Sequence, residues 1–202
     1  MAIITAANVK SYMGIATATD TWDTEIGNLV TRIQALAEMY CDRKFESADY
    51  SYDSDSDDYD SDRAIYDGDG TNLLVTKEWP IVSVTTVRIN ETAIDESTSI
   101  YNTGWFIRSK EKGFIGLRGY NFSGGIQNIE LAYNAGYATI PTDLVQALIE
   151  ECAIKVREGP KDHQLGVSSI AAADGSISIL SVEDLSAHTK MVLDSYARKV
   201  FA

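Results

Sequence analysis

The sequence predicts an α+β protein: a helical bundle of an N-terminal helix pair, a middle helix and a C-terminal helix, with an inserted antiparallel β region and a late β-hairpin. Three observations carry this. Apolar residues follow the 3.6-residue helical period near the N-terminus, again from Pro141, and again near the C-terminus. Residues 71–134 change to β-branched runs and alternation broken by Gly, Asn and Asp. The strand candidates are closely spaced, and parallel neighbours need crossovers of about a dozen residues, so antiparallel pairing is expected.

The elements follow in order. Thr5 is placed to cap a short helix with Val9 and Met13 on one face, and Gly14 to stop it. A longer helix runs from Asp20 or Thr21 to about Arg43, its core stripe formed by Trp22, Ile26, Leu29, Val30, Ile33, Leu36, Ala37 and Tyr40. An acidic Asp/Ser-rich loop is expected over 46–70, closing the helical segment 1–45. Ile81–Ile89 is nearly all β-branched, and Gln127–Tyr133 sets Ile129, Leu131 and Tyr133 on one face against Asn128, Glu130 and Ala132. Shorter strands are expected at Leu73–Thr76, Trp105–Arg108 and Phe114–Leu117.

Segment 135–202 completes the core. Pro141 suits a first helical turn, and Leu144, Val145, Leu148, Ile149, Cys152 and Val156 follow in period to a stop at Gly159-Pro160. In VSSIAAADGSISIL the pair Asp174-Gly175 suits a hairpin turn. A last helix is expected from Ser181, in a capping box with Asp184, through Leu185, Met191, Val192 and Tyr196 to the C-terminus.

Charge excludes one class of function. The net charge is −13, and residues 49–69 hold nine Asp against Arg63, a net −8. Gripping a nucleic-acid backbone needs Lys and Arg to displace counterions, so any DNA would meet this chain as a repulsive wall. No apolar run approaches the roughly 18 residues that span a bilayer, and MAIITAANVKSYMG lacks the pattern of an export signal. The expectation is a soluble chain made in the cytoplasm. Cys41 and Cys152 fall inside helical patterns and read as reduced core thiols.

Catalytic signatures are missing. GVSSI at 166–170 lacks the closing Gly of a nucleophile elbow, Gly68-Asp69-Gly70 fails the dinucleotide fingerprint at its third glycine, and neither His163 nor His188 has a partner at ligand spacing. No enzyme and no cofactor is expected. In DSDSDDYDSD (53–62), Asp53, Asp55 and Asp57 open like a calcium loop, but Asp58 and Ala64 stand where Gly and Glu are required. A calcium-dependent binding module using carboxylates from Asp53 to Asp69, with Asp67 as a further weak cation ligand, is the alternative reading. Otherwise the tract, including Asp60 and Asp62, is a hydrated loop or an edge whose charges discourage pairing.

The chain around the tract carries a resemblance. A helix ending in Tyr40-Cys41-Asp42-Arg43-Lys44-Phe45 is followed by YDGDGTNLLVTKEWPIVSVTTVRIN (66–90), YNAGYATIPTDLVQALIEECAIKV (133–156) and a terminal SYARKV. This order resembles the head-tail connector proteins, the adaptor or head-completion family of tailed bacteriophages, over about residues 5–158 and more loosely 181–202, with the tract looking like an insertion. The resemblance implies a structural virion protein at the head-tail interface, assembled in the host cytoplasm. Its copies would form a dodecameric ring beneath the portal protein, extend the DNA channel without binding DNA specifically, and present a docking surface to the next neck or tail completion protein. No membrane partner is expected. The portal contact would come from the C-terminal segment, with Tyr196, Arg198, Lys199, Val200 and Phe201 as its residues. Asp53, Asp55, Asp57, Asp58, Asp60 and Asp62 would face either the channel or the outer rim.

Overall fold

The structure is a computed structural model and describes residues 3–16, 23–55, 59–158, 169–172, 175–178 and 185–198. The chain forms two compact units, one from residues 1–43 and 140–202, the other from 44–139.

The first unit holds the helices. Helix α1 (Ala6–Met13) is capped as its sequence asks: Thr5 accepts from the Asn8 N–H while the Asn8 side chain accepts from the Thr5 N–H, and Gly14 ends it at φ 71°. Helix α2 (Asp23–Cys41) buries Ile26, Val30, Ile33, Ala37 and Cys41 along one stripe. Tyr40, expected in that stripe, is exposed, because Cys41 already takes the inward position one residue on. Asp42, at φ 50°, ends the helix short of the expected Arg43. Helix α4 (Thr142–Glu158) packs against α1, α2 and a late helix α5 (Ala187–Asp194) through Leu144, Ala147, Leu148, Cys152 and Ala153. Leu144 and Leu148 each contribute roughly 1.5–3 kcal/mol by burial, and the smaller Ala and Cys side chains less.

Two elements of this unit differ from expectation. The late hairpin pairs β9 (Ser169–Ala172) with β10 (Gly175–Ser178), so Gly175 opposes Ala172 as a strand residue and not as a turn residue; Asp174 lies outside the described residues. Helix α5 begins at Ala187 with Ser186 as its cap, accepting from the Thr189 N–H, and ends at Asp194 before Tyr196. The expected start at Ser181 lies outside the described residues.

The central unit is built of strands. Strand β8 (Gly125–Ala135) is the axis of a five-stranded antiparallel sheet: β4 (Ile81–Ile89) pairs along one edge with β5 (Thr92–Ile94) outside it, while β1 (Ala48–Tyr50) and β2 (Ile65–Gly68) share the other edge. Ile129, Leu131 and Tyr133 face the core, the face their alternation predicts. Asn90 and Glu91 join β4 to β5 at φ 48° and 66°, the two positive values a tight hairpin turn demands. A second, three-stranded antiparallel sheet orders β3 (Leu73–Val75), β7 (Phe114–Arg118) and β6 (Gly104–Ser109). Gly136, at φ 117°, takes the chain out of β8 where a Cβ would strike the Glu46 carbonyl, so the bend there depends on glycine.

The helical bundle with an inserted β region is therefore not borne out. The protein is mixed helix and sheet, and its two main sheets occupy the central region. The reason is physical: these strands bury Tyr50, Tyr66, Val87, Trp105, Ile115, Leu131 and Tyr133 in a cluster of their own and form a unit with its own interior. Two of the expected bundle helices, α1 and α5, have only 8 residues, which at about 1.5 Å per residue span only about 12 Å.

Candidate functional site

The acidic tract is the first candidate, and its second half is folded. Over 46–70, expected as one loop, the chain forms β1, helix α3 (Tyr59–Ala64) and β2. Tyr59 and Arg63 are one helical turn apart and share the inward face, while Asp62 stays exposed. The Tyr59 hydroxyl donates to the Glu78 carboxylate, which is fully buried, and Arg63 Nε stands 3.6 Å from the same carboxylate. Arg63 and Lys44 lie 4.5 and 4.6 Å from the Tyr59 ring centre. Burial first, then the hydrogen bond to Glu78, raises the Tyr59 pKa.

The same contacts continue into the sheet core. The Tyr133 hydroxyl donates to the Arg63 carbonyl at 3.2 Å and lies 3.0 Å from the Tyr66 hydroxyl, which accepts from the Lys77 N–H at 2.9 Å. Tyr133, raised mainly by burial, keeps its proton far into the alkaline range. The interior end of α3 is thus held by hydrogen bonds and charge as well as by apolar contact.

The tract's carboxylates are dispersed. Asp53 accepts from the Asp55 N–H at 3.0 Å, closing a local turn. Asp60 pairs with Lys44 at 3.5 Å and Asp62 with Lys77 at 3.4 Å. Asp67 accepts from the Gln127 N–H at 2.6 Å. Asp69 accepts from the Thr71 N–H and hydroxyl at 2.8 and 2.7 Å, and these bonds, the backbone one foremost, lower its pKa. Asp57 and Asp58 lie outside the described residues. Among the described residues no group of three or more His, Cys, Asp or Glu could hold a metal ion.

The C-terminal segment is the second candidate. Tyr196 donates to Asp143 at 2.7 Å, and Arg198 reaches Asp42 at 3.3 Å while its N–H donates to the Cys41 carbonyl at 3.1 Å. Lys199, Val200 and Phe201 lie outside the described residues. Helix α5, just before this segment, is fixed by Glu151: this buried carboxylate accepts from the Ser186 N–H at 3.0 Å and the Thr189 hydroxyl at 2.8 Å. Tyr40 donates to Asp194 at 2.6 Å. His188 is exposed with Glu150 at 3.7 Å, and His163 lies outside the described residues.

The sequence reading missed Tyr59, Arg63, Glu78 and Glu151. A signal existed for the first two: a lone aromatic and a lone cation four residues apart inside an acidic run mark one inward helical face. Glu78 and Glu151 look like surface residues in sequence, and only the packing around them shows otherwise. No helix among the described residues is long and apolar enough to cross a membrane.

Comparison with known proteins agrees with the order of motifs. No curated protein matches the chain. Among solved structures, a chain from "Neck of empty GTA particle computed with C6 symmetry" superposes with a TM-score of 0.56 at 14% identity, covering 98% of this chain and 92% of that one. A chain from "Neck of native GTA particle computed with C12 symmetry" gives 0.53 at 15% identity, covering 100% and 94%. One from "Virion of native gene transfer agent (GTA) particle" gives 0.52 at 15%, covering 99% and 91%. At these identities the likeness shows a shared fold. The sequence model of the family described as "Head completion protein" matches residues 2–199, and the chain belongs to that family.

Proposed function

We propose that this chain is a structural subunit of the neck of a phage-like particle: a non-catalytic adaptor that closes into a ring beneath the portal, extends the DNA channel and offers a surface to the next neck or tail protein. The observation that carries the reading is the head completion match over residues 2–199. The fold, shared along almost the whole chain with neck components, supports it; the C6 and C12 symmetries with which those necks were computed favour a ring, and the C12 symmetry one of twelve.

The electrostatics fit this role. A ring of twelve would carry roughly −100 charges from residues 49–69 alone, enough to keep DNA sliding without sticking if the tract lines the channel. Screening confines that field to about 10 Å. On the outer rim the same charge would keep rings apart.

The portal contact is assigned to Tyr196, Arg198, Lys199, Val200 and Phe201, an apolar end beside two cations. Deleting residues 196–202 tests it. Portal binding should be lost in a pull-down with purified portal rings while circular dichroism stays native; binding retained at wild-type level contradicts the assignment.

A further inference from the structure

The three-stranded sheet of the central unit has two unlike ends. Loop 97–103 leads into β6 and turn 110–113 leaves it, so they lie at opposite ends of that strand. At the first end, residues 97–103 and 119–128 contain no Asp, Glu, Lys, Arg or His, in a chain that is 23% charged. The two stretches are neighbours: Arg118 donates to the Ser97 hydroxyl at 2.8 Å and the Ser99 carbonyl at 3.3 Å, and a Cβ on Gly119 would press into the Thr103 side chain.

The first loop is braced from within. The Ser97 hydroxyl lies 2.8 Å from the carbonyl oxygens of Ser99 and Asn102, and the Asn102 N–H donates to Ser99 at 3.1 Å. Yet it holds apolar side chains in water: Tyr101 is 89% exposed, Ile100 70% and nearby Tyr120 46%. A loop ordered before binding avoids much of the entropic cost of association. Its Ser, Asn, Thr and Tyr content is that of protein-recognition loops. Asp95 and Glu96 stand exposed at its edge.

The opposite end is basic. Turn 110–113 is tied to the residue after β3 and to the start of β4 through Thr76 N–H to Gly113 and Ile81 N–H to Lys110, both at 2.8 Å, with the exposed Val75 and Val82 beside it. Lys110 and Lys112 outnumber Glu111 there, and all three are exposed.

We infer that these ends are the two halves of one contact between copies of this chain, the Ile100–Tyr101 loop of one copy seating on the 110–113 turn of the next. Charge selects the occupant. Copies that each carry −13 repel, and contact is easiest where an uncharged loop bearing Ile100 and Tyr101, with an acidic edge, meets a turn with two lysines. Two different surfaces in contact make a heterologous interface, the kind that closes rings. The inference rests on the ring reading above and names the surfaces that join its subunits.

Sedimentation velocity of the full chain at rising concentration, alone and with purified portal rings, tests it. Tyr101→Ala, the pair Asp95→Lys with Glu96→Lys, and the pair Lys110→Glu with Lys112→Glu should each weaken self-association about tenfold or more. A chain carrying both reversed pairs should recover most of it. All these positions are exposed, so unchanged circular dichroism is expected. Variants that associate like the wild type overturn this contact and leave the ring reading standing. Variants that keep self-association but lose the portal overturn it too, assigning the loop to the portal. A wild-type chain that stays monomeric both alone and on the portal overturns the ring reading and this contact together.

Discussion

The hydroxyl of Tyr59, a residue of the acidic tract, donates to the fully buried carboxylate of Glu78. That bond joins the most charged stretch of the chain to the interior of the central unit. Near Arg63 and Lys44 it explains why a segment of such composition folds into a helix at all.

Removing that carboxylate should be costly. Glu78→Ala leaves the Arg63 guanidinium inside without this partner, and breaking a buried pair from one side costs about 3–5 kcal/mol. Tyr59→Phe removes only the phenol donor and should cost about 1–3 kcal/mol. Urea denaturation followed by tyrosine and tryptophan fluorescence should rank the two in that order; equal small losses would show that the cluster contributes little.

Helix α5 should depend on Glu151. Its carboxylate holds the Ser186 N–H and the Thr189 hydroxyl at the start of the helix, so Glu151→Ala should cost about 1–3 kcal/mol. Hydrogen exchange should speed up over residues 187–194 while β8 stays protected. Unchanged exchange there would mean that apolar packing through Leu185 and Leu193 suffices.

Alkaline stability should report the two thiols. Burial pushes Cys41 and Cys152 each from 9.0 up to about 12. The folded state keeps protons that the unfolded chain releases, so the stabilisation is whole below pH 9 and is lost as pH rises from 9 toward 12. Each thiol contributes a slope of about 1.4 kcal/mol per pH unit in that window. Cys152→Ala should flatten the profile by one such slope, whatever it does to stability at neutral pH.

Calcium should leave the protein unmoved. The carboxylates of Asp53, Asp67 and Asp69 accept backbone N–H bonds at separate places, and those of Asp60 and Asp62 face lysines. A thermal melt with millimolar calcium should match one with chelator; a stoichiometric upward shift, lost with Asp55→Asn, would restore the cation-site reading.

Much of the fold was legible where one physical signal dominated. Thr5, Asn8 and Gly14 mark both ends of α1, and the alternation at Ile129, Leu131 and Tyr133 marks the buried face of β8. The balance between the two units was not legible, because helical periodicity is a stronger signal than short strands such as β1, β2 and β5, which have three or four residues each. Pairing with the long β8, remote in sequence, stabilises β1 and β2, and β5 is held by its hairpin with β4. Helix α3 was hidden for a related reason. Its charges argue for a solvated loop, and the groups that outweigh them, Glu78 and Lys44, lie outside the tract.

Cryo-electron microscopy of the purified protein mixed with its portal decides whether this chain builds the proposed ring in the neck of a particle. A closed ring docked beneath the portal, with residues 196–202 at the junction, is the expected image; portal particles that remain bare at saturating protein, with the chain monomeric beside them, would rule the ring out.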